Sequence, residues 1–155
     1  MMHHAADPGA MTGTLTGTAA GTFAAVFAAL LAAHWLADHW VQTDHQAAFK
    51  SLPNRRGWLA LLGHVATYTA VAAVFLLIVA VRLGLRLELV PVLTGLVFSA
   101  VTHGWADRRR PLAWLARHTG SAKFYRVAAG GISGAYLLDQ SFHTTMLFVA
   151  ALIIS

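Results

Sequence analysis

Residues Trp58–Val81 read WLALLGHVATYTAVAAVFLLIVAV, 24 positions without a formal charge. Crossing the hydrocarbon core of a bilayer takes about 20 residues of helix. Lipid offers no partner for a free backbone N–H or carbonyl, so this segment is predicted to be a membrane-spanning helix. Three further stretches share its character. Ala19–Ala37 carries only Thr22 and His34 as polar side chains. Leu89–Ala106 has no formal charge, and its Pro91 sits near the start, where a missing N–H does least harm. Val127–Ser155 has a single charge, Asp139.

Composition agrees with this reading. The 155 residues are 57% hydrophobic and 11% charged, with a mean hydropathy of +0.61. A soluble domain carries roughly a quarter charged residues, so this chain lacks the polar surface to wrap a water-soluble globule. The same numbers exclude a disordered chain. With no cysteine, disulfides, Cys-ligated zinc and iron–sulfur clusters are excluded. The expected fold is all-α: a polytopic membrane protein with four transmembrane helices in a bundle over residues 19–155. Residues 1–18 form a Thr/Gly/Ala-rich leader, expected to be disordered. It lacks the basic region of a signal peptide, and Met11 is an alternative initiator to Met1.

The cations are unevenly placed. Lys50, Arg55 and Arg56 lie between the first two spans, and Arg82 and Arg86 between the second and third. Arg108, Arg109, Arg110, Arg117, Lys123 and Arg126 lie between the third and fourth. Loops one and three therefore hold 9 of the 11 cations. The positive-inside rule puts those loops in the cytoplasm and both termini outside, in a multi-pass protein of the cell inner (plasma) membrane. Trp35, Trp40, Trp58, Trp105 and Trp114 fall at the same ends, as an aromatic belt would. The formal charge of +5 then reports loop topology and contact with anionic lipid headgroups, not nucleic-acid binding. Arg108, Arg109, Arg110 and Arg117, interleaved with Leu112, Trp114 and Leu115, read as a short interfacial helix on those headgroups. A solvated basic loop is the alternative. The bilayer is the expected partner, and a homo-oligomer is compatible with the pattern.

Ionisable groups within a span are costly and usually face a bundle interior or a cavity. Here they recur in pairs: His34/Asp38, His103/Asp107 and Asp139/His143, each at i,i+4 and so on one helix face. The second span adds His64, with Tyr68 one turn on. The charge-derived orientation, which uses no histidine, brings all four sets to similar depth. Imidazole and carboxylate suit a divalent metal such as Zn, Fe or Mn, and helical bundles build such sites from facing helices. The candidate ligands are His34, Asp38, His64, His103, Asp107, Asp139 and His143, with Gln42, Gln140 and Tyr68 as orienting neighbours. A metal there can activate water for hydrolysis of a lipid-borne substrate. Two other functions fit the same residues: a non-catalytic scaffold whose His/Asp pairs are structural, or a proton or cation conduit. Asp107, beside three arginines, also reads as an ordinary loop ion pair. Asp38 and Asp107 lie near C-terminal helix ends, where the macrodipole disfavours a carboxylate and some positive partner is needed. Gly130 and Gly134 have the G-x-x-x-G spacing that suits close helix approach. No phosphate-binding glycine loop, G-x-S-x-G or H-E-x-x-H motif is present.

The run His34-Trp35-Leu36-Ala37-Asp38 into Gln42-Thr43-Asp44, then Gly63-His64 with Tyr68, His103 with Asp107, and Asp139-Gln140-Ser141-Phe142-His143 together resemble a family of small prokaryotic and phage-encoded membrane proteins. That family is designated domain of unknown function 3307. The resemblance spans roughly residues 25 to 155 and implies a polytopic membrane location. It carries no substrate, reaction or cofactor with it. The glycine- and threonine-rich leader and the long basic third loop set this chain apart.

Overall fold

The computed structural model describes residues 8–155, with side chains from Thr18 onward. Of the leader expected over residues 1–18, residues 1–7 lie outside the described residues, and the backbone from Pro8 onward belongs to the first helix. Among the described residues four helices are long and apolar enough to cross a membrane: Thr18–Val41, Arg55–Leu83, Leu89–Asp107 and Gly134–Ile154. The first is helix α1 (Pro8–Leu36) continued by a five-residue π-helical turn, Ala37–Val41. A short helix α2 (Asp44–Phe49) follows. It is started by a reciprocal cap: the Gln46 N–H donates to Thr43 Oγ1 at 3.2 Å, and the Thr43 N–H donates to Gln46 Oε1 at 2.9 Å. Helix α3 (Arg55–Leu83) starts where the Gly57 N–H donates to Asn54 Oδ1, and it ends at Gly84 in the left-handed conformation. Helix α4 is Leu89–Asp107.

The segment between α4 and the last span is structured. Helix α5 (Arg110–His118) buries Leu112 and Ala116 and leaves Trp114 and Arg117 outside, the amphipathic pattern expected of loop three. A single turn, α6 (Ala122–Tyr125), leads to a hairpin of β1 (Ala128–Ala129) and β2 (Ile132–Ser133). Its two loop residues, Gly130 and Gly131, both have positive φ, as a tight two-residue hairpin turn requires. Helix α7 (Gly134–Ile154) closes the chain.

Two expectations are corrected here. The fourth span starts at Gly134, seven residues after Val127, because the glycine pair turns the chain before the helix can begin. Gly130 and Gly134 therefore do not share a helix face. Gly134 instead lies against the Phe124 carbonyl, and the close helix approach is made by Gly95 of α4 against Ala150 and Ile154 of α7.

In the bundle α1 packs on α3 and α7, and α4 packs on α3 and α7, so each long helix has two neighbours. One half of the interior is apolar and small-residue rich: Val26, Leu30 and Ala33 meet Ala72, Leu76, Leu147, Ala150, Ala151 and Ile154. Small side chains allow the close backbone approach that van der Waals packing demands in lipid. Leu62, Leu77, Val81, Val97 and Val101 point outward, as a lipid-facing surface requires. The other half of the interior is polar.

Candidate metal centre

Four helices supply that polar half. Helix α1 and its π turn carry His34 and Asp38, α3 carries His64, α4 carries His103 and Asp107, and α7 carries Asp139 and His143. All seven candidate ligands gather in one buried cluster at the end of the bundle where α2 and the 108–133 segment meet. The four imidazoles are at most 2% exposed, and only Asp139, with its side chain 24% exposed, is open to any extent.

The centre of the cluster is four atoms. His64 Nε2 and His103 Nε2 lie 2.9 Å apart. Asp38 Oδ1 is 3.5 Å from the first and 3.4 Å from the second, and Asp107 Oδ2 is 3.3 Å from each. These N···O distances exceed a good N–H···O hydrogen bond, and both carboxylate oxygens are buried without a hydrogen-bond partner. With both rings neutral, the two Nε2 atoms share at most one proton between them. Most of the lone pairs in this group then face one another, at a cost of several kcal/mol for buried charge. A divalent cation would accept from Asp38, His64 and His103, whose ligand atoms lie within 4.8 Å of one another. A tetrahedral ion with bonds of about 2.0–2.1 Å has ligand–ligand edges of about 3.4 Å. The Asp38–His64 and Asp38–His103 separations match that edge, and the His64–His103 separation is shorter by about half an ångström. The residues present therefore fit a divalent metal.

A second donor set adjoins the first. Asp107, Asp139 and His143 each offer a ligand atom, and these atoms lie within 4.8 Å of one another. The Asp139 Oδ2 to His143 Nε2 distance is 3.6 Å, and His143 Nε2 is buried without a partner. His34, His103 and His143 form a third such group.

The orienting residues act differently from one another. Gln140 Oε1 accepts from His34 Nε2 at 3.0 Å, so His34 carries its proton there and turns Nδ1 toward Asp38. Gln140 Nε2 also donates to Asp139 Oδ2 at 3.3 Å. Gln42 donates to the backbone carbonyl of Asp38, not to its carboxylate, and so braces the π turn. The Tyr68 ring stacks on His103 with centroids 4.0 Å apart, and its hydroxyl pairs with Ser99 at 2.6 Å.

Sequence reasoning missed Lys50. It is buried, and its Nζ sits 2.6 Å from Asp107 Oδ1. The ordinary ion pair considered for Asp107 is thus made not by the adjacent arginines but by a lysine 57 positions upstream, while Asp107 Oδ2 faces the histidines. The sequence held only half of the signal: a carboxylate at a helix C-terminus needs a cation, but nothing along the chain distinguishes Lys50 from the other loop cations. Arg108 is engaged by the protein, donating from Nη1 to the Lys50 carbonyl at 3.1 Å and lying over the Trp58 ring. Arg110 and Arg117 are exposed. Arg109 has φ +58°, the one positive φ outside glycine among the described residues. It lines a cavity of about 440 Å³ together with Asp38, Lys50, Asp107, Asp139 and Tyr136. The cavity thus opens onto the carboxylates of both donor sets.

Residues 26–155 match the family model described as "Protein of unknown function (DUF3307)". The chain belongs to the DUF3307 family. The match takes in every residue of the buried cluster, from His34 to His143, and every residue that lines the cavity. No curated protein and no solved structure matches this DUF3307 chain.

Proposed function

We propose that this DUF3307 protein is an intramembrane metalloprotein that holds a divalent ion, Zn or Fe/Mn, between Asp38, His64, His103 and Asp107. The observation that carries this reading is the four-atom group itself, with two buried, unpartnered carboxylate oxygens 3.3–3.5 Å from two imidazole nitrogens. A bound ion would supply Lewis acidity, and an activated water where a coordination position is left open to the cavity, so hydrolysis is the reaction class that fits.

The substrate we propose is lipid-borne, reached from the cytoplasmic leaflet of the inner membrane, with both termini outside. Nine of eleven cations in loops one and three support that orientation. The cavity supports the substrate class. Its wall carries Asp38, Asp107 and Asp139 against Lys50 and Arg109, a formal balance of −1 that a divalent ion turns to +1. A net positive chamber of this size accepts an anionic headgroup. The exposed Trp40 and Val41 on the adjoining π turn are placed to meet acyl chains. A conduit finds less support, because Val26, Leu30, Leu76, Leu147 and Ile154 fill the opposite half of the bundle and the polar groups stop at the Tyr68–Ser99 pair.

Elemental analysis of protein purified in detergent without chelators tests the metal reading. Wild type is expected to retain stoichiometric metal and the His64→Ala/His103→Ala double variant to lose it. Metal-free wild type after incubation with Zn(II), Mn(II) and Fe(II) in turn overturns the proposal and leaves the structural role of the His/Asp pairs in its place.

A further inference from the structure

Asp38, His64 and His103 form one buried donor set, and Asp107 Oδ2 lies 3.3 Å from both of its imidazoles. With Asp107 as a fourth protein ligand that site would be closed, as structural sites are, whereas a catalytic site has three protein ligands and keeps a position open. The adjoining set has the second character. His143 Nε2 is buried and unpartnered, Asp107 is shared with the first group, and Asp139 stands on the cavity wall. Gln140 Nε2, on the Asp139 carboxylate, holds that side chain toward the pair.

Resting on the metal reading above, we infer that the centre is dinuclear, with Asp107 shared between a closed ion at Asp38/His64/His103 and an open ion at Asp139/His143 that faces the cavity. Charge supports it. Asp38, Asp107 and Asp139 contribute −3 and Lys50 contributes +1, so one divalent ion brings this buried group to zero and a second leaves it at +2. That excess is what an anionic substrate entering beside Arg109 would neutralise. The labour divides accordingly: the closed ion fixes the helices and the shared carboxylate, and the open ion presents its free positions to whatever occupies the cavity. Lys50, bonded to Asp107 Oδ1, holds the shared carboxylate between the two sets.

The test is ion stoichiometry in full-length protein loaded with Zn(II) alone and freed of excess by gel filtration. Two ions per chain are expected in wild type and one in each of Asp139→Ala and His143→Ala. Asp139 is partly exposed, so its variant keeps the experiment informative if the His143 variant does not fold. A competing chelator is expected to strip wild type in two steps and Asp139→Ala in one. One ion in wild type, or two in a folded Asp139→Ala protein, overturns the second site and leaves the first standing. No ion in wild type overturns both.

Discussion

Asp107 shows how much rests on a single side chain. Its Oδ1 is bonded to Lys50, and its Oδ2 faces His64 and His103. Removing one partner of a buried ion pair leaves an uncompensated charge, at a cost of about 3–5 kcal/mol. In chelator-treated protein Lys50→Met is expected to cost about 3 kcal/mol, measured by thermal unfolding in detergent, and Lys50→Met/Asp107→Asn to recover much of it. Equal stability of Lys50→Met and wild type would mean that the pair contributes nothing. Gln140 is a second case. Gln140→Leu leaves the His34 N–H without an acceptor and should cost about 1–3 kcal/mol. It should also free the Asp139 carboxylate, so that chelator removes the second ion of the proposed dinuclear centre faster. Both residues stand outside the set of ionisable pairs that periodicity picks out. Gln140 was legible because it neighbours Asp139. Lys50 was not, because a loop cation has no period that ties it to a particular carboxylate.

At the scale of elements, local chemistry decides where each helix starts and stops. The caps at Thr43 and Asn54 and the left-handed Gly84 are all written in local sequence. Other features depend on neighbours. The chain before α3 runs so close to Gly57 that any side chain there would collide with the Leu52 carbonyl, whereas a methyl at Gly104 would meet only the Val65 side chain at 3.4 Å. Gly57→Ala is therefore expected to lower stability by about 2 kcal/mol or more and Gly104→Ala by less than about 1 kcal/mol. The same unfolding measurement checks the difference, and equal costs would contradict the geometry. The π turn at Ala37–Val41 is another such feature. The i,i+4 spacing of His34 and Asp38 correctly places them on one face. The turn is seen only once Gln42 is bonded to the Asp38 carbonyl and Asp38 has met α3 and α4. Hydropathy likewise extended the fourth span back to Val127, because Val127–Ser133 is apolar and glycine-rich. Two consecutive positive-φ glycines make it a hairpin instead.

For the whole molecule, the interior of the bundle divides into a polar half and an apolar half. The orientation proposed above is open to a direct experiment, since the chain has no cysteine of its own. In inner-membrane vesicles of known sidedness, a membrane-impermeant maleimide is expected to label His118→Cys from the cytoplasmic face and Ser155→Cys from the opposite one. The reverse pattern would put the cavity at the outer leaflet and remove the cytoplasmic substrate from the proposal.

Hydropathy, charge and i,i+4 spacing were enough to determine four spanning helices and to single out His34, Asp38, His64, His103, Asp107, Asp139 and His143. Burial in lipid leaves a strong one-dimensional trace: long uncharged runs, and within them a few ionisable residues too costly to be incidental. Only the tertiary structure decided which atoms of those residues face one another, that Lys50 joins them, and that a cavity edged by Arg109 opens beside Asp139. Such contacts depend on how four helices rotate about their axes and on where loops one and three meet. The packing of residues such as Gly95 against Ile154 sets that rotation, and pairings so distant along the chain have no local signature.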